Sequence, residues 1–358
     1  MNTIQDITNQ FQIPGQWIEG KPYGAGHINQ TYLVSFQDEQ KTIRYLLQKI
    51  SNKIFPDIGL MMDNIERVLV KLKEHGYGFD LIKTVSQETY YKAENGDCFR
   101  MYSLVEHAVS YETIQSKKHA YECGKMAAEF QQALAQFSFD PAYADMTKDF
   151  HNTMAYYKRL EQAINADCCN RVNEVQDEIA FYRERKHQME LLLMQAKQAK
   201  IPYRATHNDM RVSNFMMDID TGDAVALIDL DTVIPGLAAY DYGDGIRSAA
   251  KQVTRKDGII TSVTFDKEVA EAFTKGYVIK AKEFLTKNEL SSLADGILVM
   301  SLECGMRYLT DYLQGDVYFA KNKNGENKQN ARREMLFVTE AEKHIEKIRA
   351  YIAQLEVQ

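Results

Sequence analysis

The chain has 358 residues, of which 45% are hydrophobic, enough for one large domain or two lobes. Its net charge of −7 and pI near 5.7 argue against general affinity for nucleic acid or an anionic membrane surface. Because no run of 18 apolar residues and no basic, apolar leader is found, we expect neither a membrane span nor a secretion signal. Five cysteines without C-x-x-C spacing are typical of reduced thiols and predict a cytoplasmic protein.

The N-terminal part of the chain is predicted to be rich in strands. Residues 17–23 and 30–36 have strand character and flank a turn that contains Gly24, Gly26 and Asn29. A strand, a Gly-x-Gly turn and a second strand form the layout of a loop that covers nucleotide phosphates, because glycine lets backbone N–H groups come close. An ordinary hairpin turn is the other interpretation. No helix follows the turn, which argues against a dinucleotide-binding βαβ unit.

The next strand and helix carry two charged residues suited to nucleotide binding. Residues 42–50 predict a strand, with Lys49 near its end and placed to contact the α- and β-phosphates. A helix is predicted over residues 60–75, and Glu66 on it could pair with Lys49 and fix its ammonium group. The alternative is a lysine that extends along a strand edge and a glutamate on a solvated helix face.

Further strands complete an antiparallel sheet of about five strands; they are predicted over residues 80–85, 90–93 and 98–105. Long helical segments follow, over residues 116–137, 147–165 and 170–199. The change of character after Glu106 predicts an N-terminal nucleotide-binding lobe of residues 1–105. Residues 106–358 are then a C-terminal catalytic and substrate-binding lobe.

Residues 207–214, with the sequence His-Asn-Asp-Met-Arg-Val-Ser-Asn, run directly into a predicted β-hairpin. Its strands are residues 214–219 and 224–230, joined by a turn rich in Asp, Thr and Gly. A hairpin centred on the middle of this turn places Asn214 opposite Asp229. Their Cβ atoms would then lie roughly 5 Å apart.

This pairing predicts a site for phosphoryl transfer. An amide oxygen of Asn214 and a carboxylate of Asp229 are hard ligands suited to Mg²⁺, which takes its other ligands from water and phosphates. Asp209, on the preceding loop, could accept a proton from an attacking hydroxyl group. Asp and Asn also occur in loops simply as turn formers. The full spacing, ending in a strand with Ile-Asp, favours the catalytic interpretation.

Two later features bear on the same site. Residues 239–244 open a helix, where Asp241 or Asp244 is predicted to hydrogen-bond the backbone of the catalytic loop or to cap the helix. A long helix begins after the capping box of Thr286, and its buried stripe continues to Arg307 and Asp311. A buried guanidinium needs a partner. Either Asp311 pairs with Arg307, or Arg307 binds a polyhydroxylated substrate. A last helix is predicted from about residue 334.

The motif H-x-D-x-x-x-x-N followed by Ile-Asp resembles the catalytic loop and metal-binding Asp of protein kinases and of aminoglycoside and choline phosphotransferases. Residues 228–237 and 315–319 look like segments of bacterial N-acetylhexosamine 1-kinases, which belong to the aminoglycoside phosphotransferase superfamily. Other similar stretches extend the resemblance over nearly the whole chain: residues 24–29, 47–51, 63–68 and 307–319.

The resemblance implies an α+β, protein kinase-like two-lobed fold, with a small antiparallel sheet and one helix in the N-lobe and a mostly helical C-lobe. It implies ATP and Mg²⁺ as cofactors, and phosphorylation of the anomeric hydroxyl of a hexosamine. By position, Asp209 is implied to be the base, and Asn214 and Asp229 to hold Mg²⁺. The implied substrate contacts are Asp231, Arg307 and Tyr318.

The identity of the acceptor stays open at this point. Lys49 stands where an arginine is often found, and Arg211-Val212-Ser213 varies the middle of the loop. A choline- or ethanolamine-like alcohol, which needs an aromatic cage, or an aminoglycoside, which needs an acidic cleft, is an alternative acceptor. A nucleotide-binding protein without turnover is a further alternative, disfavoured because every predicted catalytic group is present. The expected partners are ATP and a small sugar.

Overall fold

The computed structural model describes residues 3–24, 29–51, 57–319 and 325–358. Contacts divide the chain into two compact units. The first comprises Met1–Ala108 and Phe139–Tyr143, and the second Val109–Ser138 and Ala144–Gln358. The predicted lobe boundary between residues 105 and 106 lies close to the end of the first segment. The functions assigned to the two lobes stay predictions.

The first unit is built on an antiparallel sheet. It contains α1 (Ile4–Thr8), β1 (Gln16–Pro22), β2 (Gln30–Asp38), β3 (Lys41–Ile50), α2 (Ile58–Glu74), β4 (Leu81–Ile82), β5 (Tyr91–Lys92) and β6 (Cys98–Ser103). The strand order is β1-β2-β3-β6-β4, and β5 also pairs with β6. The predicted helix corresponds to α2. Its apolar stripe faces the core and is buried, while the charged residues lie on the opposite face.

The second unit is mostly helical. After β7 (Ala108–Val109), its helices are α3 (Lys117–Ala133), α4 (Pro141–Thr147, which begins in the first unit), α5 (Thr153–Ala166), α6 (Gln176–Glu184), α7 (Lys186–Lys197), α8 (Ala238–Ala249), α9 (Lys267–Ala281), α10 (Lys287–Leu313), α11 (Glu326–Glu342) and α12 (Ile345–Glu356). Its strands are β8 (Arg204–Thr206), β9 (Phe215–Asp218), β10 (Ala224–Leu227), β11 (Ile234–Gly236), β12 (Lys251–Lys256) and β13 (Ile259–Phe265). The predicted α+β fold, an antiparallel sheet followed by a mostly helical part, is confirmed.

Two element predictions in the second unit differ from the structure, and one hairpin was not predicted. The helix predicted over residues 170–199 is two helices, α6 and α7, which meet at Arg185. The last helix begins at Glu326, earlier than predicted, and is divided into α11 and α12. The antiparallel hairpin of β12 and β13, followed by α9, was not predicted.

Helix α10 forms the centre of the second unit and begins with the predicted capping box, in which Thr286 and Glu289 bond each other's backbone N–H groups. It crosses α8 closely: a Cβ added to Gly296 would lie 1.9 Å from the carbonyl oxygen of Ala239. Only glycine permits this approach, which fixes α8, with Asp241, against α10, with Arg307. Among the described residues, no helix has both the length and the apolar character that a membrane crossing requires.

Candidate active site

The loop that carries Asp209 is fixed by hydrogen bonds from other residues of the second unit. It connects β8 to a 3₁₀ turn at Val212–Asn214, after which β9 begins. The carboxylate of Asp241, in the first turn of α8, accepts hydrogen bonds from the backbone N–H groups of His207 at 2.9 Å and Asn208 at 2.7 Å. The Thr232 hydroxyl donates to the carbonyl of His207 at 2.7 Å. Of the two carboxylates predicted for this role, Asp241 or Asp244, it is therefore Asp241 that accepts the hydrogen bonds of the loop.

Asn208, directly before Asp209, has a φ of 63°, a left-handed conformation that Asn tolerates better than most residues. Its side-chain Nδ2 donates to the carbonyl oxygens of Thr206 and Thr232, both at 3.0 Å. These local bonds offset part of the conformational cost and define the direction in which the chain enters Asp209.

Asp209 is bound by two neighbouring side chains. The Arg211 guanidinium donates from Nε to Oδ1 at 2.8 Å and from Nη2 to Oδ2 at 3.0 Å. The Nδ2 of Asn214 donates to the Asp209 carbonyl at 2.8 Å and to Oδ2 at 3.2 Å. Burial opposes ionisation, but the charge and hydrogen bonds of Arg211 outweigh it, so the pKa of the Asp209 carboxyl lies below its ordinary value. Asp209 is thus an ionised, oriented carboxylate.

The hairpin register differs by one residue from the prediction. Leu227 pairs with Phe215, and the N–H of Ile228 donates to the carbonyl of Asn214 at 2.9 Å, so Asn214 lies opposite Ile228 and not Asp229. The reason is that the turn begins earlier, at Asp218, and that an irregularity between Ala224 and Ala226 recovers only one of the displaced positions. The predicted strand pairing of Asn214 with Asp229 was therefore wrong.

Asp229 follows the paired strand in a left-handed conformation with a φ of 65°. The charge of Asp209 is the main cause that raises the pKa of Arg211, and the negative charge of Asp229 adds to it. The described residues contain no cluster of three or more His, Cys, Asp or Glu side chains that could hold a metal ion. A site with one amide and one carboxylate would still suit Mg²⁺, which commonly has only one or two carboxylate ligands.

Arg307 is half-buried on α10 and surrounded by aromatic rings. Its guanidinium carbon lies 5.6 Å from the ring centroid of Tyr156, 5.8 Å from that of Tyr318 and 5.9 Å from that of Phe319. Its Nη2 lies 3.4 Å from the hydroxyl of Tyr318, which is 60% exposed. The structure therefore brings together two of the three predicted substrate residues.

One alternative from the sequence was that Asp311 pairs with Arg307. The structure does not show this pair. The Asp311 carboxylate accepts the backbone N–H groups of Val317, Tyr318 and Phe319 at 2.7–2.9 Å, together with the Nδ2 of Asn327 at 2.9 Å. These bonds fold the segment after α10 back onto the helix. Among the described residues, Arg307 has no carboxylate within ion-pair distance. The third predicted substrate residue, Asp231, is buried in the 3₁₀ turn that follows Asp229.

In the first unit, the predicted pair of Lys49 with Glu66 is not formed. Lys49 binds Asp97 at 2.6 Å, and Glu66 binds Lys83 at 2.6 Å. The register explains this: Lys49 pairs with Phe99 on β6, and Asp97, two residues earlier, presents its side chain on the same face. The hydrogen bond from Lys49 also lowers the pKa of the Asp97 carboxyl.

Of the predicted glycine turn, Gly24 has a φ of 74°, in the left-handed region that favours glycine. The Oδ1 of Asn29 accepts the N–H of Ser51 at 3.0 Å. Gly26 lies outside the described residues. The roles of these residues in nucleotide binding stay predictions.

Two features of the site were missed at the sequence level. One is the bidentate hydrogen bond from Arg211 to Asp209. The closeness of these two residues in the chain was a signal that could have indicated it. The other is a buried pair of His151 and Glu303 beneath the loop, separated by 152 positions in the chain, for which the sequence gives no local signal.

The fold is shared with solved phosphotransferases. An aminoglycoside phosphotransferase from Alicyclobacillus acidocaldarius is 11% identical with a TM-score of 0.60, covering 99% of this chain and 97% of that one. A microcompartment-associated aminopropanol kinase is 12% identical with a TM-score of 0.63, covering 96% and 97%. A spectinomycin phosphotransferase, solved with ADP and spectinomycin, is 13% identical with a TM-score of 0.53, covering 93% of each chain. At these identities the likeness establishes the fold alone.

The antiparallel sheet and the helical part together define a kinase-like phosphotransferase fold. Residues 19–277, well over half of the chain, match the APH family, described as the phosphotransferase enzyme family. The chain belongs to this family.

Proposed function

We propose that the protein transfers the γ-phosphoryl group of ATP to the anomeric hydroxyl of an N-acetylhexosamine or a related hexose. The observation that carries this proposal is the arrangement around Asp209, an ionised carboxylate held by Arg211 and Asn214 in a family of phosphotransferases. Catalysis of phosphoryl transfer depends mainly on positioning and charge stabilisation, and a fixed carboxylate serves the first of these needs.

Asp209 retains the capacity to receive a proton. An ionised carboxylate offers about four lone-pair positions. Arg211 occupies one on each oxygen, and the Asn214 amide occupies a second on Oδ2. No other described residue donates to Oδ1, so one position on it is available for the hydroxyl of an acceptor, and the side chain of Asp209 is 26% exposed. In this proposal, Asp209 orients the attacking hydroxyl and takes its proton.

Asn214 and Asp229 are the residues proposed to hold Mg²⁺. The Nδ2 of Asn214 is directed at Asp209, so its Oδ1 is the atom that would meet a cation. An amide oxygen and a carboxylate are the oxygen ligands that Mg²⁺ prefers. When bound, the ion would neutralise charge on the phosphates of ATP.

Nucleotide use is supported by the spectinomycin phosphotransferase relative, which was solved with ADP. Lys49 is proposed to contact phosphate oxygens, with Gly24, Gly26 and Asn29 as the other predicted residues of the nucleotide site. An ammonium group has three donors, and Asp97 takes one of them. Counting only partners among the described residues, two donors therefore remain for phosphate.

A neutral, polyhydroxylated acceptor fits Arg307 better than a cationic one. Its guanidinium has five N–H donors, is packed on aromatic rings and has no described carboxylate partner. Such a group hydrogen-bonds sugar hydroxyl or N-acetyl oxygens but repels choline, ethanolamine-like alcohols and aminoglycosides. Asp231 and Tyr318 complete the proposed acceptor site.

The test is a panel of acceptors assayed for ADP release with Mg²⁺ and ATP. The panel contains N-acetylglucosamine, N-acetylgalactosamine, glucose, galactose, choline, ethanolamine and kanamycin. We expect turnover of a reducing sugar, with the phosphate found at C1 by phosphorus NMR. The matched methyl glycoside, which lacks a free anomeric hydroxyl, should be inert.

Asp209→Asn provides the control for catalysis at this site. Loss of a general base typically lowers the rate by about 10²–10⁴-fold. Turnover of choline or kanamycin alone would contradict the sugar assignment. Full activity of Asp209→Asn on any acceptor would show that another group is the base.

A further inference from the structure

A buried histidine contacts the backbone of the loop that carries Asp209. His151 is only 5% exposed, and its Nε2 lies 3.1 Å from the carbonyl oxygen of Asn208. Its Nδ1 lies 2.6 Å from Oε1 of Glu303, which is 1% exposed. The hydroxyl of Thr153 donates to the other oxygen of Glu303 at 3.2 Å. Thus both ring nitrogens and both carboxylate oxygens have partners.

The partners favour a charged pair. A carbonyl oxygen only accepts, so the bond to Asn208 requires a proton on Nε2. Glu303 accepts from Thr153 on one oxygen, and the short contact on the other is typical of a charge-assisted hydrogen bond from Nδ1. With a proton on each nitrogen, His151 is an imidazolium and Glu303 its counter-ion.

Groups from several elements face this histidine. Burial lowers the pKa of His151, whereas Glu303 and the Asn208 carbonyl raise it, and the net shift is upward. Arg307, one turn after Glu303 on α10, opposes protonation. Tyr240 of α8 lies 5.4 Å away between ring centroids, and Phe150 lies 4.7 Å away.

The bonded carbonyl belongs to the peptide unit that leads into Asp209. The N–H of Asn208 is held by Asp241, and its carbonyl is held by His151. These two bonds fix the residue in its left-handed conformation, and with it the direction of the Asp209 side chain. Glu303 also shares α10 with Arg307, so one helix supports both the base and the proposed acceptor site.

We propose that His151 is a positioning residue for the catalytic base: as an imidazolium neutralised by Glu303, it holds the peptide between Asn208 and Asp209. The proposal rests on the proposed function only in the role given to Asp209. The charged clamp, by which we mean the His151–Glu303 pair bonded to the Asn208 carbonyl, is a property of the folded chain and is tested without turnover.

The first experiment measures the charge state in the full chain. Long-range proton–nitrogen NMR of the wild type should show protons on both ring nitrogens of His151 at pH 7, above the ordinary histidine pKa. In Glu303→Gln the ring should be neutral at the same pH. A neutral His151 in the wild type would overturn the proposal whatever the enzyme phosphorylates.

The second experiment measures position and rate. In His151→Phe, hydrogen exchange in residues 206–214 should become faster, and kcat with Mg²⁺, ATP and N-acetylglucosamine or N-acetylgalactosamine should fall between about ten- and a hundredfold. The KM for ATP should stay within about twofold. In His151→Gln, an amide N–H can still reach the Asn208 carbonyl, so exchange and kcat should be partly restored.

His119→Phe is the matched control. His119 lies in α3 and is as buried as His151, but it contacts Gln115 and the ring of Tyr111, which precede α3, and not the loop of Asp209. The substitution should leave exchange in residues 206–214 unchanged. Equal effects of the two substitutions, or an unchanged loop in His151→Phe, would contradict the positioning role. Absence of turnover in the wild type would contradict the proposed function but not the clamp.

Discussion

The guanidinium of Arg211 donates to both carboxylate oxygens of Asp209, at 2.8 and 3.0 Å, although only one residue separates them in the chain. A bidentate bond of this kind fixes orientation as well as charge. Because Asp209 is half-buried, its ionisation depends on this neighbour. Arg211 is therefore expected to determine the pH range over which Asp209 can act as a base.

Arg211→Met should shift the acid limb of the pH–kcat profile to higher pH. Without the guanidinium, burial remains and raises the pKa of Asp209, so protonation removes the base at a higher pH than in the wild type. Profiles of kcat between pH 4 and 8 measure the shift. Arg183→Met is the control, since Arg183 pairs with Glu161 on the surface and should leave the limb in place. An unmoved limb in Arg211→Met would mean that Asp209 does not set it.

Much of the fold follows from local sequence. The helix α2 and the start of α10 were predicted because an apolar stripe and a capping box are encoded within a few turns. The hairpin of β12 and β13 was missed because its strands are largely exposed and carry many charged and polar residues. Such strands lack the apolar alternation that marks a half-buried strand.

That the residues proposed for catalysis lie close together was predictable, but their exact pairing was not. Asp209 and Asn214 come together because they belong to one short loop. The register beyond them depends on the turn at Asp218, where the side chain accepts the N–H groups of Asp220 and Thr221 and begins the turn early. One displaced residue is enough to change which side chain faces a partner.

The partners of Lys49 and of the catalytic loop depend on tertiary structure. Lys49 binds Asp97 because β3 and β6 are neighbours, which a strand prediction alone does not state. His151 reaches Asn208 across 57 positions in the chain. Contacts of this kind leave no periodic or spacing signal in a single sequence.

Asp229→Asn should weaken metal activation. The substitution keeps the shape and the left-handed backbone, which Asn tolerates, but removes one negative charge from the proposed Mg²⁺ site. We expect the free Mg²⁺ concentration for half-maximal rate to rise at least about tenfold. Rates measured against free Mg²⁺ at saturating ATP test this. Asp223→Asn, in the same hairpin and paired with Lys118 on the surface, should leave the dependence unchanged.

Arg307→Lys should raise the KM for the acceptor and leave the KM for ATP unchanged. Lysine keeps the charge but loses the planar fork and its packing on the rings of Tyr156 and Tyr318. A charged hydrogen bond contributes about 1.5–3 kcal/mol, so its loss should raise the KM for the acceptor roughly ten- to a hundredfold. Separate titrations of acceptor and ATP distinguish the two constants.

Arg185→Lys is the matched control for Arg307. Arg185 also stacks on an aromatic ring, that of Phe181 at 3.8 Å, and binds a carboxylate, Glu342. It has no proposed role in acceptor binding, so both KM values should stay within about twofold. If Arg307→Lys changes the KM for ATP and not that for the sugar, Arg307 belongs to a different subsite.

A large stability effect is expected at Glu334, a fully buried carboxylate of α11. Lys251 donates to both of its oxygens at 2.6 and 2.8 Å, and Arg333 donates to Oε1 at 3.0 and 3.1 Å. Burial raises the pKa of Glu334, but these cations outweigh burial and lower it to about 2. Burial lowers the pKa of Lys251 to about 8, only partly offset by Glu334, so the pair is charged at neutral pH.

Glu334→Gln should therefore lower the free energy of unfolding at pH 7 by about 3 kcal/mol or more, because it leaves buried cations without their counter-charge. The folded pKa lies below the unfolded one, so this stabilisation is present above about pH 4.5 and is lost as the pH falls toward 2. Denaturant titrations at pH 7 and pH 3 should show a larger difference between variant and wild type at pH 7. Glu340→Gln, which breaks only a partly exposed pair with Lys343, should change stability by less than about 1 kcal/mol. A pH-independent difference for Glu334→Gln would mean that packing, and not charge, accounts for the loss.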